Sequence, residues 1–342
     1  MALAGIDVSE YQGEIDWQAV ADSGVSFCFV KCTEGAQSSD PMFATNWAAM
    51  KGVGIIRSAY HFFVASKDPV VQANNFLRLT QKVWEDSDLP PVLDLEKTYF
   101  LNPSTVIDRA QIWLNTVEKA LGRKPILYTF PNFWHESLGD IQRFSNYPLW
   151  IAHYETDTPW VPGGWKDWTF HQYSESGRTP GIEGDCDLNT FKGNLDDLQK
   201  LLKGPIPLRL GSRGQVVAKL QQLLNKQGAN IGVADGTFGP RTKNAVINFQ
   251  KSRQLLADGI VGPRTWLALE SNPTTTPPTP PTTPSTTALS LNNVCKSYKG
   301  LAHQEQALHW LQSQIPSNQL AAFTTRWRQD PDGTSSPMST TP

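Results

Sequence analysis

Two carboxylates stand two positions apart in Pro91-Val92-Leu93-Asp94-Leu95-Glu96. On a strand, Asp94 and Glu96 share one face, and Leu93 and Leu95 share the other. Their Cα atoms then lie roughly 7 Å apart. Carboxylates that close cannot both ionise freely, so one holds its proton to a higher pH. A protonated acid beside a charged partner is what cleavage of a sugar–sugar bond requires. Alone, the pair is a weak signal and more often the solvated end of a strand, so the surrounding elements must decide.

Those elements alternate. Short apolar runs at 5–8, 26–31, 54–59, 91–95, 125–128, 149–152 and 169–173 predict strands. Longer helical patterns, notably 69–84 and 104–121, fit between them, the second with Ser104 as N-cap and Gly122 as its stop. Alternation of this kind predicts an α/β fold with a mainly parallel sheet, open or closed. Polar and aromatic residues gather at the carboxyl ends of the runs: Asp7, Glu34, Tyr60, Asp94, Glu96, Tyr128, Tyr154 and Gln172. A barrel feeds its active face from several strand ends at once, which favours a barrel. After Tyr173, Asp187 is readable either as the N-cap of a helix running to about Leu202 or as a further acid at the mouth.

Gly5-Ile-Asp-Val-Ser-Glu-Tyr-Gln-Gly13, Lys31-Cys-Thr-Glu-Gly35, Tyr60-His-Phe62, Pro91–Glu96 and Asp187-Leu-Asn-Thr-Phe191 together resemble, in order, the motifs of glycoside hydrolase family 25 muramidases. The resemblance spans nearly all of residues 1–203. It implies an irregular, flattened, TIM-like β/α barrel that cuts the β-1,4 bond after N-acetylmuramic acid in peptidoglycan. It further implies Glu96 as general acid and Asp94 as its partner, orienting the substrate acetamido group or stabilising positive charge. Asp7 and Asp187 would line and tune the site, and Glu34, Tyr60 and Tyr128 would be secondary contacts, with Tyr154 and Gln172 beside them as substrate-binding candidates. Cys32 departs from the small residue usual there, a replacement a buried Cys makes at modest cost. Retention, inversion and a substrate-assisted route stay open, and the last suits an N-acetylated sugar.

Lys203-Gly-Pro-Ile-Pro207 reads as a short stiff hinge. Beyond it, Asp235-Gly-Thr-Phe-Gly-Pro-Arg-Thr242 is echoed by Asp258-Gly-Ile-Val-Gly-Pro-Arg-Thr265. Asp-Gly makes a turn and Pro opens a helix at its first position. Ser212-Arg-Gly-Gln215 has capping-box spacing, and Val217, Leu220 and Leu224 form a stripe ending at Gly228. Residues 208–270 therefore predict a small three-helix domain, which resembles the peptidoglycan-binding type 1 module. By that resemblance it tethers the enzyme to the wall and raises the local substrate concentration. Residues 271–287 predict a Pro/Thr spacer, 288–329 a short helical hairpin of unassigned role, and 330–342 a disordered tail.

The totals exclude some classes. Lys+Arg number 30 against Asp+Glu 32, which argues against a general nucleic-acid binder. No run of about 18 apolar residues predicts a membrane span. The amino terminus has no basic stretch followed by an apolar one, so no signal peptide is expected. The implied location is manufacture in the cytoplasm and action on the wall after release or non-classical export. Cys28 and Cys32, about 13 Å apart on one strand, would not pair. His303 and His309 are six apart, and the other four His are scattered, so neither a metal nor another cofactor is expected. Bacterial peptidoglycan is the expected partner. The alternatives are a wall-binding protein whose barrel has lost catalysis, and a chitinase- or glucosaminidase-like activity.

Overall fold

The computed structural model describes residues 2–270. The expected spacer, helical hairpin and tail, and Cys295, lie outside them.

Eight strands close into a barrel: β1 (Leu3–Val8), β2 (Phe27–Glu34), β4 (Ile56–Phe62), β5 (Val92–Asp94), β6 (Ile126–Thr129), β7 (Leu149–Ala152), β8 (Phe170–Gly177) and β9 (Cys186–Phe191). All neighbours run parallel except β9, which is antiparallel to both β8 and β1 and so completes the ring. A two-residue strand, β3 (Ser38–Ser39), pairs only with the end of β2. Helices α1 (Trp17–Asp22), α2 (Phe43–Gly52), α3 (Pro69–Thr80) and α4 (Pro103–Leu121) cover the early strands. No α-helix separates β6 from β7 or β7 from β8, which makes the barrel irregular.

Alternate residues of each strand face opposite layers. Ile6, Val8, Cys28, Val30, Leu93, Leu95, Leu127, Leu149 and Ile151 pack outward under the helices. Phe27, Phe29, Val92, Ile126, Tyr128, Trp150, Phe170 and Phe191 fill the interior. Gly5 belongs to that interior set: a Cβ there would stand 2.3 Å from the Phe27 ring.

Local signals set the helix starts. Asp68 accepts from the Val70 and Val71 amides ahead of Pro69. The cap of α4 is Asn102, which accepts from the Thr105 amide, and not Ser104, whose hydroxyl instead donates to Asn102. Pro103 can occupy the first turn because its missing N–H is an orphan there. Gly122, at φ 61°, ends α4 as expected. Asp187 caps no helix: it lies within β9, and the short α5 (Leu195–Gln199) is capped by Asn194.

Segment 203–207 is not a free hinge. The Lys203 and Gly204 amides donate to the Asp86 carbonyl, and Ile206 is fully buried. It leads into α6 (Gln215–Lys226), α7 (Pro240–Ser252) and α8 (Pro263–Glu270). The apolar interior of the barrel continues through Leu195, Leu198, Leu202 and Ile206 into Val217, Leu220, Val246, Val261 and Trp266. Arg209 donates to the Ala21 and Val25 carbonyls, the latter just before β2 begins. The three helices thus abut the amino ends of the strands, away from the acids.

The internal repeat has a structural counterpart. Buried Gln221 donates to Asp235 Oδ1, the Thr237 carbonyl and Thr242 Oγ1, and accepts from the Gly236 amide. Buried Gln250 does the same at Asp258, Ile260, Thr265 and Gly259. Ser212 does not cap α6. Its hydroxyl accepts from the Arg209 amide, while Asp196 of α5 accepts from the Gln215 and Val216 amides.

Candidate active site

The acids meet at the carboxyl ends of the strands. Asp94 closes β5, in register with Phe62 and Tyr128 on its two neighbours. The chain stays paired one step further, through the Leu95 amide to the Tyr128 carbonyl. That extension keeps the alternation, so Leu95 packs outward and Glu96 stays on the side of Asp94. Asp94 is buried, and its Oδ1 has no hydrogen-bond partner within the chain. Burial, then the Glu96 charge, pushes the Asp94 carboxyl well above the usual range.

Glu96 retains 22% side-chain exposure. It lines two open clefts, of about 450 and 360 Å³. Burial also raises its proton affinity, opposed by Lys97 and Lys31. Lys97 Nζ lies 3.9 Å from Glu96 Oε1, and both lysines sit over the Phe62 ring.

Lys31 and Glu34 both reach the mouth because β2 bulges between Lys31 and Thr33. Three positions apart on a regular strand they would face opposite sides. The extra residue restores Glu34 to the same side, and Lys31 Nζ pairs with it at 2.8 Å. Thr33 turns outward, its hydroxyl 2.7 Å from His61 Nδ1, and that buried ring stacks on Trp113. His61 is therefore a core residue.

Asp7 forms the second focus. Gln172 Nε2 and Asn189 Nδ2 donate to its Oδ2 at 2.8 and 2.7 Å. Tyr128 and Tyr154 hydroxyls donate to Gln172 Oε1, and Trp150 Nε1 donates to Asn189 Oδ1. Hydrogen bonds to a charged group are each worth about 1.5–3 kcal/mol. Burial still wins, and the Asp7 carboxyl stays above its usual range. Asp187 lies opposite Asp7 in register and hydrogen-bonds to it. Burial and the Asp7 charge push its carboxyl up to about 9.

The structure thus brings Asp7, Asp187, Tyr128, Tyr154 and Gln172 into one network. Asp94 and Glu96 stand beside it, and Glu34 stands at the rim. Tyr60 is half-buried below them, edge-on to Trp150. Four participants were not among the sequence-derived candidates: Asn189, Trp150, Lys31 and Lys97. Asn189 had a usable signal, because it shares the period of Asp187 once 186–191 is read as a strand. Cys28, Cys32 and Cys186 are free and buried, with burial raising each thiol, so they are inert packing residues. Among the described residues no cluster of His, Cys, Asp or Glu is placed to hold a metal ion, and no helix is long and apolar enough to cross a membrane.

The arrangement is one partly open acid, a buried acid beside it, and a proton-sharing pair, all at one barrel mouth. It fits proton donation to a glycosidic oxygen.

Residues 6–182 match the family model described as glycosyl hydrolases family 25, and residues 213–269 match that of a putative peptidoglycan binding domain. The chain is 40% identical over 207 residues to the uncharacterized protein YegX of Escherichia coli (strain K12), covering 59% of this chain and 74% of that protein. It is 34% identical over 212 residues to Lysozyme M1 of Streptomyces globisporus, covering 58% and 71%. The crystal structure of a bacterial lysozyme from Streptomyces coelicolor superposes with a TM-score of 0.57 at 33% identity, covering 59% of this chain and 98% of that one.

Proposed function

The chain belongs to glycosyl hydrolases family 25, and from that premise we propose how its residues do the family's work. The chain is a peptidoglycan hydrolase, an N-acetylmuramidase that cleaves the β-1,4 bond between N-acetylmuramic acid and N-acetylglucosamine. Its relatives' names and its second matched domain support the same polymer as substrate and anchor.

Glu96 is the general acid. The observation that carries this assignment is its position between two open clefts while Asp94 lines neither. Only Glu96 can reach a bound glycosidic oxygen and pass it a proton. Asp94, buried beside Glu96, is its partner and acts on the site through charge rather than by contact. Asp7, fixed by Gln172 and Asn189, supplies negative charge facing the oxocarbenium-like transition state, and Asp187 holds the shared proton. Tyr128 and Tyr154 border the sugar on the Gln172 side.

The three-helix domain holds the enzyme on the wall, at the barrel end opposite the acids. Clearing of purified cell walls tests the assignment. Glu96→Gln keeps the shape and loses the proton, and kcat should fall by about 10²–10⁴. No clearing by either would leave the wall-binding alternative, and equal clearing by both would take Glu96 out of the acid's role.

A further inference from the structure

The larger cleft beside Glu96 is bounded by the loop that follows β5. At its rim Tyr99 and Phe100 adopt φ of 52° and 62° in succession. Bulky residues are rare in that region, and two together are held there only by the surrounding chain. The two are the corners of a turn closed by the Leu101 amide on the Thr98 carbonyl, which packs Tyr99 and Leu101 against the core and leaves the Phe100 ring fully exposed. Its cleft neighbours are Phe130, Asn132 and Glu136.

We propose that Phe100 is a platform for a pyranose ring of the departing glycan strand, a specificity-determining contact that rests on the hydrolase reading above. An aromatic face accepts the C–H face of a sugar, while an amide and a carboxylate beside it accept and donate to its hydroxyls. The side follows from charge. Glu96 must stand over the scissile oxygen with one sugar on each side. Asp7, which supplies negative charge to the developing cation, lies with Tyr128 and Gln172, toward the smaller cleft. The fragment whose oxygen takes the Glu96 proton therefore extends the other way, over Phe100.

Phe100→Asn tests this, since Asn tolerates positive φ and removes the ring; Phe100→Trp keeps a ring. The readouts are kcat and KM for release of reducing ends from soluble, peptide-free glycan strands, together with the thermal midpoint of each protein. Phe100→Asn should lose about tenfold in kcat/KM, with an unchanged or higher midpoint because strain is relieved. Phe100→Trp should return to within about twofold of wild type. An Asn variant as active as wild type overturns the platform. So does one whose midpoint falls along with its activity while Trp gives no rescue. A wild-type chain that releases no reducing ends overturns the hydrolase reading itself, a separate result.

Discussion

Asp7 and Asp187 face one another in register across the β1–β9 pair, with their carboxyl groups hydrogen-bonded. A buried acid and a half-buried one in contact hold one proton between them. Burial and the Asp7 charge carry the Asp187 proton from its ordinary value of 3.8 to about 9. The folded chain therefore binds a proton that the unfolded chain releases between those limits. Stability from this group is complete below about pH 4, falls as pH rises, and levels off above about 9. Asp187→Asn still donates to Asp7 but has no proton to lose. Its thermal midpoint should decline less steeply from pH 4 to 9 than that of wild type. Parallel curves would show that the pair does not titrate this way.

Glu96 is raised by burial and pulled back first by Lys97, then by Lys31. A general acid works only while protonated, so its proton affinity sets the alkaline limb of the rate profile. Lys97→Met removes the nearer counter-charge and should move that limb to higher pH. The exposed lysine makes this a modest effect, weaker in high salt. An alkaline limb that stays put, or moves down, would place another group in the acid's role. The pH dependence of kcat on soluble glycan strands measures it.

The barrel was largely legible because its interior follows a strict period of two, as in Phe27, Phe29 and Lys31 or Val92, Asp94 and Glu96. What escaped the sequence were features set by distant partners. The Cys32 bulge that brings Glu34 to the mouth has no local signature. Asp187 in a strand and Asp187 as a cap look alike until β1 is present to pair with it. Asn102 outcompeted Ser104 for α4 because Pro103 fixes the first turn one residue earlier. Lys203–Pro207 has a hinge's composition, and only its contacts with Asp86 and Gln199 show it pinned. Asn189 and Trp150 became site residues only when β7 and β9 lay close enough to join them.

Asp196 belongs to the barrel's last helix yet caps the first helix of the next domain. Gly214, the residue before α6, offers no side chain to do so. Asp196→Ala leaves two amides without their acceptor and should cost about 0.5–2 kcal/mol. Asp196→Asn keeps one acceptor oxygen for one of the two amides and should recover at most about half of it. Denaturant melts would show the loss, and a midpoint unchanged in Asp196→Ala would mean that the contact between the domains is not maintained in solution.

Gln221 and Gln250 each bind one copy of the repeated Asp-Gly turn, and each is nearly inaccessible to water. A buried amide that satisfies several partners is costly to remove, because the partners stay behind unpaired. Gln250→Leu strands the buried Gly259 amide and the Ile260 carbonyl, and should destabilise the three-helix domain by about 2–4 kcal/mol, given some 1–3 kcal/mol for each buried group left without a partner. Because this domain adjoins the strands' amino ends and not the acids, the two activities should separate. Sedimentation with purified walls should fall sharply for Gln250→Leu, while cleavage of soluble glycan strands stays within about threefold of wild type, the tether contributing only local concentration. Loss of both together would mean that the barrel needs the module to stay folded, as their shared apolar interior permits. Retention of wall binding would mean that the repeated turns do not shape the gripping surface.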